Sequence, residues 1–245
     1  MAGHSHWANI AYKKAAVDKK RGKVYSKIAR KIIVAAKAGG GDPDMNLKLK
    51  YAIADARAAN MTNEQVKRAI DRGTGASASE NFEEVLYEGY AKGGAAVLVE
   101  ALTDNRHRTV PEVRGIFEKA GGNLGASGSV AWQFVRKAIV RVPAQGANED
   151  ELMLAVLEAG ADDMERADEL FEIRGPVEAL QPIQQSLARL GLIAASSGFE
   201  YMPTIYVPVT AEVGRSIANL LEALEENDDV QKVFTNAEFP DGFEG

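Results

Sequence analysis

The chain of 245 residues contains no cysteine. That excludes disulfides, thiolate nucleophiles and cysteine-ligated zinc. Histidine is scarce as well, with three in all, and none stands in a metal-ligand spacing such as H-E-x-x-H. No run approaches the roughly 18 apolar residues that a membrane span needs. Residues 1–7 lack the apolar centre of a secretory leader. No Gly-x-Ser-x-Gly elbow is present, and no glycine-rich loop is followed by Lys-Ser/Thr. The carboxylates of 148–172 and 222–229 alternate with apolar residues, as solvated faces do. These absences predict a cytoplasmic, non-enzymatic protein with no catalytic residues, no metal, no cofactor and no membrane partner.

What is present is a strong charge partition. Hydrophobic residues make up 46% and charged residues 26%, an ordinary globular balance with enough apolar material for real cores. The net charge of −6 conceals two opposite ends. Residues 1–76 hold sixteen Lys/Arg against six Asp/Glu, whereas 77–245 hold thirteen against twenty-nine. Such asymmetry marks a polyanion-binding end joined to something else.

The basic end reads as helical. Over residues 23–38 the positions Val24, Tyr25, Ile28, Ala29, Ile32, Ile33 and Ala36 share one face. Lys23, Lys27, Arg30, Lys31 and Lys37 share the other. Lys23, Lys27 and Lys31 form an i,i+4 row without a neighbouring acid on the helix, and like charges so placed repel. A polyanion would supply the missing counter-charge; a solvated lysine face is the competing reading. Gly39-Gly40-Gly41 breaks the helix. Asp42 and Pro43 suggest the cap and first position of a second helix reaching Asn60. Thr62 and Gln65 form a capping box for a third, with Met61 and Val66 as its hydrophobic staple and Gly73 as its stop. Gly73 to Asn81, rich in Gly, Ser and Ala, reads as a linker.

Beyond Asn81 short strands and helices alternate. Strands are predicted at 95–101, 130–135, 138–142, 170–173, 203–209 and 230–234. Helices are predicted from the Thr109–Glu112 box to Ala120, and at 148–159, 177–190 and 213–224. The segment 138–207 has the order β-α-β-β-α-β. The fold class is therefore α+β and multidomain: an all-helical N-terminal domain (1–78), then two α+β, ferredoxin-like domains, one (137–205) inserted in the other (79–136 with 206–245).

Four constellations could carry chemistry. The arm AGHSHWANI offers His4, Ser5 and Trp7, and a tryptophan can stack on a base or sit in a core. The basic run after it supplies Lys13, Lys14, Lys19, Lys20, Arg21, Lys23, Lys27, Arg30 and Lys31 for phosphates. Arg106 and Arg108 lie between a strand and a helix start, where a second phosphate contact and an arginine braced by Asp104 are equally open readings. The glycine-rich stretch 121–128 follows a helix rather than opening one, which favours tight turning over a dinucleotide fingerprint. If Met1 is removed, Ala2-Gly3-His4 could also present a square-planar nitrogen site for Cu(II) or Ni(II).

Taken together, Ala2-Gly3-His4-Ser5, Trp7, Asn9-Ile10, Lys14-Ala15-Ala16, Asp18 and Lys20-Arg21-Gly22-Lys23 resemble the opening of the YebC/PmpR family. So do Arg68-Ala69-Ile70, Arg72-Gly73-Thr74-Gly75, Tyr87-Glu88-Gly89-Tyr90, Thr103-Asp104-Asn105-Arg106, Arg108-Thr109, Gly122-Asn123-Leu124, Gly128-Ser129-Val130 and Trp132. The resemblance covers essentially the whole chain. It implies a helical domain before two α+β domains, and a regulator of gene expression. Family members are described as DNA-binding transcriptional regulators, mitochondrial relatives as translational activators, and bacterial relatives as linked to ribosomes and relief of stalling. The expected partner is nucleic acid, DNA and/or ribosomal RNA, with the ribosome as a further partner; the acidic domains would bind protein. Two positions depart from the family: His6 replaces a lysine, and Ala91-Lys92 stands where Gly-Pro is usual. The first removes a fixed charge from the arm, and the second loosens a turn.

Overall fold

A computed structural model describes residues 21–75, 81–240 and 242–243. Three helices come first: α1 (Arg21–Gly39), α2 (Leu47–Ala58) and α3 (Asn63–Thr74). Their core is the apolar face legible on α1. Ile28, Ile32, Ile33 and Ala36 pack with Leu49, Ala52 and Ala56 of α2 and with Val66 and Ala69 of α3. The Thr62–Gln65 capping box forms in both directions, and Met61 and Val66 are buried beneath it.

Two helix signals resolve differently. The cap of α2 is Asn46, not Asp42. The Asn46 side chain accepts from Leu49 N–H and donates to the carbonyls of Ala35 and Gly40, tying the start of α2 to the end of α1. Asp42 instead closes a local turn by accepting from Asp44 N–H. Gly73 does not stop α3, which runs one residue further. A Cβ at Gly73 would lie 2.5 Å from the Ile33 carbonyl and 2.8 Å from Ala36 Cβ, so glycine here permits close helix approach.

The first α+β element set is β1 (Glu83–Tyr90), β2 (Ala96–Thr103), α4 (Arg106–Lys119) and β3 (Asn123–Leu124). After an insert the chain adds β8 (Val207–Pro208), α7 (Ala211–Glu225), β9 (Val230–Thr235) and β10 (Ala237–Glu238). The main sheet runs β3-β1-β2-β9, antiparallel throughout, and β8 pairs parallel with β10. The β1–β2 turn closes at Ala91 and Ala95 with Gly93 and Gly94 at positive φ, a conformation open to glycine. Val97, Val99 and Ala101 pack one face of the sheet against Val113 and Phe117 of α4 and Ile217, Leu221 and Leu224 of α7.

The insert holds β4 (Phe134–Pro143), α5 (Glu149–Glu158), β5 (Asp163–Ala167), β6 (Leu170–Gly175), α6 (Leu180–Arg189) and β7 (Ser196–Pro203). Its sheet order, β5-β6-β4-β7, is the ferredoxin-like order expected from the β-α-β-β-α-β sequence. Two compact units result, divided at Phe134/Val135 and Met202/Pro203. The helical region thus shares one unit with the discontinuous α+β region. Within the insert, Arg141 is buried between Glu172 and Glu200, and Arg174 joins Glu172 to Glu165, so charges withdrawn from water are paired across adjacent strands. Among the described residues no helix is long and apolar enough to cross a membrane.

Candidate nucleic-acid interface

Much of the expected phosphate-binding set falls at the amino terminus. His4, Ser5, Trp7, Lys13, Lys14, Lys19 and Lys20 lie outside the described residues, as does the Ala2-Gly3-His4 arrangement. Arg21 opens α1, and its side chain is likewise outside the description.

The rest of the α1 row is engaged within the chain. Lys23 Nζ donates to the Glu226 carbonyl at 3.0 Å and stands 3.7 Å from the Asp228 carboxylate. Lys27 Nζ donates to the Glu225 carbonyl at 2.6 Å. Arg30 Nη1 reaches the Asp228 carbonyl at 2.5 Å and Asp229 Oδ1 at 2.7 Å, with its guanidinium over the Phe82 ring. Lys31 pairs with Asp55 of α2 at 3.3 Å. The counter-charge absent from the helix itself is therefore supplied by the acidic turn after α7 and, for Lys31, by Asp55 of α2. That helix has no basic residue in its last turn, where cations normally complement the terminal carbonyls. The cations come from α1. Burial lowers the pKa of Lys27 to about 8, and neighbouring Lys23 and Arg30 push the same way against Glu225 and Asp228.

Asp229 is the hub of this contact. Its side chain is only 4% exposed. While Oδ1 faces Arg30, Oδ2 accepts from Arg108 at 2.7 Å and from the Thr109 hydroxyl at 2.6 Å. Burial raises the Asp229 pKa, but the bonds from Thr109 and Arg108 and the charges of Arg108 and Arg30 outweigh it and hold the carboxyl below its usual range. Arg108 also binds Asp104, so the brace reading is what the geometry displays. Arg106 pairs at the surface with Glu83. Both arginines lie in the first turn of α4, because Asn105 caps the helix by accepting from Arg108 N–H. Thr109, expected to be the cap, turns inward to Asp229. A cleft of about 760 Å³ opens alongside, lined by Arg30, Arg72, Phe82, Arg108, Glu112 and Asp228 among others.

The glycine-rich stretch serves as a turn. Gly121 and Gly128 adopt positive φ. The segment is pinned by Glu88, buried on β1, which accepts from the backbone N–H groups of Gly128, Val130 and Ala131 at 2.6–2.8 Å.

Other cations remain open. Lys50 and Arg57 of α2 and Lys67 of α3 are exposed and form no ion pair among the described residues. Lys50 and Arg57 are seven residues apart and share one face of α2. A helical wheel on 47–58 marks them.

Comparison with known proteins covers almost the whole chain. A family model described as the TACO1/YebC protein N-terminal domain matches residues 5–76, and one described as the TACO1/YebC second and third domain matches 82–237. A Carboxydothermus hydrogenoformans protein named "Probable transcriptional regulatory protein" is 46% identical over 98% of this chain and 100% of its own length. A protein of the same name from Aquifex aeolicus is 47% identical over 98% of this chain and 97% of its own. The crystal structure of a conserved hypothetical protein from Aquifex aeolicus superposes with a TM-score of 0.91 at 45% identity, covering 98% of this chain and all of that one. The helical start, the two α+β regions and these matches agree, and the chain belongs to the TACO1/YebC family.

Proposed function

We propose that the protein is a nucleic-acid-binding regulator of gene expression, acting on transcription through DNA and containing no catalytic centre. The observation that carries this reading is the charge partition, with sixteen Lys/Arg against six Asp/Glu in residues 1–76. Phosphates are the general partner of such a surface. The names of the relatives, "Probable transcriptional regulatory protein", support it. On this reading Lys13, Lys14, Lys19, Lys20 and Arg21 meet the backbone together with Lys50, Arg57 and Lys67. His4, Ser5 and Trp7 contact sugars or bases. The acidic α+β regions turn away from the polyanion and are available to protein.

One feature favours ribosomal RNA or the ribosome as a second reading. The basic set is dominated by lysine, whereas base edges in a DNA major groove are read best by Arg, Asn or Gln. A salt titration against duplex DNA, ribosomal RNA fragments and whole ribosomes separates the two. Binding through phosphates gives log K falling linearly with log salt, by about 0.9 per duplex phosphate neutralised. Retained duplex preference at physiological salt supports transcription. Loss of duplex binding there with ribosome binding intact supports translation. Absence of binding to all three at low salt overturns both.

A further inference from the structure

We propose that the turn at residues 225–229 is an internal polyanion mimic: it closes the basic face of α1, and a nucleic-acid backbone displaces it, freeing the helical region from the sheet. This rests on the nucleic-acid reading above and adds a regulated, two-state interface to it.

The two surfaces have complementary deficits. On α1, Lys23, Lys27 and Arg30 recur at i, i+4 and i+7, on one side of about two turns. Their partners are the carbonyl oxygens of Glu225, Glu226 and Asp228 and one Asp229 carboxylate oxygen. A row of oxygens bearing partial and full negative charge is also what a phosphate backbone presents.

The contact is built to exchange. The helical region and the sheet region keep separate apolar cores, bridged by Phe82, which precedes β1 and packs on the helical one, and the α1 contact with the turn itself is made by polar pairs. Two of its members are wet: the side chains of Lys23 and Asp228 are 45% and 67% exposed. Exposed pairs stabilise little and weaken with salt. Polar interfaces of this kind permit relative movement of the parts they join.

Release also leaves no buried charge stranded. When Arg30 withdraws, Asp229 retains Arg108 and Thr109 on its other oxygen. Lys27, in contrast, is the uncomfortable member of the closed state. Its ammonium is largely buried against a carbonyl, and its lowered pKa reports that the charged form gains by leaving. Transfer to a phosphate supplies a charged oxygen in direct contact, where the turn offers a carbonyl.

The absence of cysteine permits clean labelling of the full chain. Ala58→Cys on α2 and Glu118→Cys on α4, both exposed, would carry spin labels for a distance measurement. Duplex DNA and heparin are the probes, with DNA binding read in the same samples by anisotropy. The expected result is a longer distance with either probe. Asp228→Asn is expected to tighten DNA binding about threefold, the scale of one exposed pair. Glu158→Gln, removing an acid elsewhere, is expected to change affinity less. An unchanged distance with DNA demonstrably bound overturns the latch and leaves the nucleic-acid reading standing. Equal effects of Asp228→Asn and Glu158→Gln also overturn it. No binding of DNA, even at low salt, removes both.

Discussion

Arg30 and Asp229 meet at 2.7 Å across 199 positions of sequence. The carboxylate is shared unequally, because Arg108 and Thr109 hold its other oxygen. This asymmetry predicts unequal mutants. Arg30→Gln should cost no more than about 1 kcal/mol, since Asp229 stays neutralised. Asp229→Ala should cost about 2–3 kcal/mol, because Arg108, Thr109 and Arg30 all lose a shared charged acceptor, keeping only Asp104 and the Asn105 and Asp228 carbonyls. Urea unfolding of the two variants measures the difference, and equal losses would show that Asp229 depends chiefly on Arg30.

Glu88 anchors the glycine-rich segment through three backbone N–H groups. Burial raises its pKa, but those bonds prevail and hold it below the ordinary 4.5. Its contribution is therefore complete above about pH 4.5 and is lost as pH falls through the lower folded value. Glu88→Gln should destabilise by about 2 kcal/mol near neutrality, the scale of a charge-assisted bond lost to a buried donor. Its stability should also fall less steeply than the parent's on acidification. Thermal unfolding between pH 3 and 7 tests both statements.

Lys27 has the opposite dependence. Its folded pKa of about 8 lies under the ordinary 10.5, with burial the main cause. Between those values the unfolded chain retains a proton that the folded chain has released, so this group makes stability rise with pH. The slope from one group is at most about 1.4 kcal/mol per pH unit. Lys27→Met should remove that rise. Denaturant midpoints from pH 7.5 to 9.5 provide the comparison, and parallel profiles would refute it.

Gly73 separates two effects with opposite signs. Alanine gains about 1 kcal/mol of helix propensity over glycine. Its Cβ would collide with the Ile33 carbonyl at 2.5 Å, a backbone atom that cannot step aside. Overpacking costs about 1–3 kcal/mol. Gly73→Ala should therefore be net destabilising, whereas Gly22→Ala, with no atom of the described residues within 4 Å of its Cβ, should not. Midpoint shifts of the same sign would contradict the close approach of α1 and α3.

The sequence made local features legible and long-range ones not. Thr62 and Gln65 announce α3 because a capping box is complete within four residues. The basic and apolar faces of α1 follow from periodicity alone. The partner of its charges does not, since the acidic turn lies some two hundred residues away. Asp42-Pro43 looks a better helix start than Asn46, until the Ala35 and Gly40 carbonyls are seen waiting for its amide. Strand β1 was hidden because Glu83 and Glu84 open it and the buried Glu88 interrupts its apolar pattern. Strand β7 is half-buried along its whole length and so shows no alternation. Arg106 and Arg108 follow a strand, as expected, but lie within the first turn of α4 rather than before it. Their partners Glu83 and Asp229 come from other strands and turns.

The manner in which the chain leaves and re-enters the sheet region has an evolutionary consequence. Strands β4 and β7 lie side by side, and the backbone N–H and hydroxyl of Thr204 both bond the Gln133 carbonyl at the crossing. The exit and return points are thus already stitched together outside the ferredoxin-like unit. A lineage could shorten, exchange or discard that unit by splicing between Phe134 and Pro203 without reopening the parent fold.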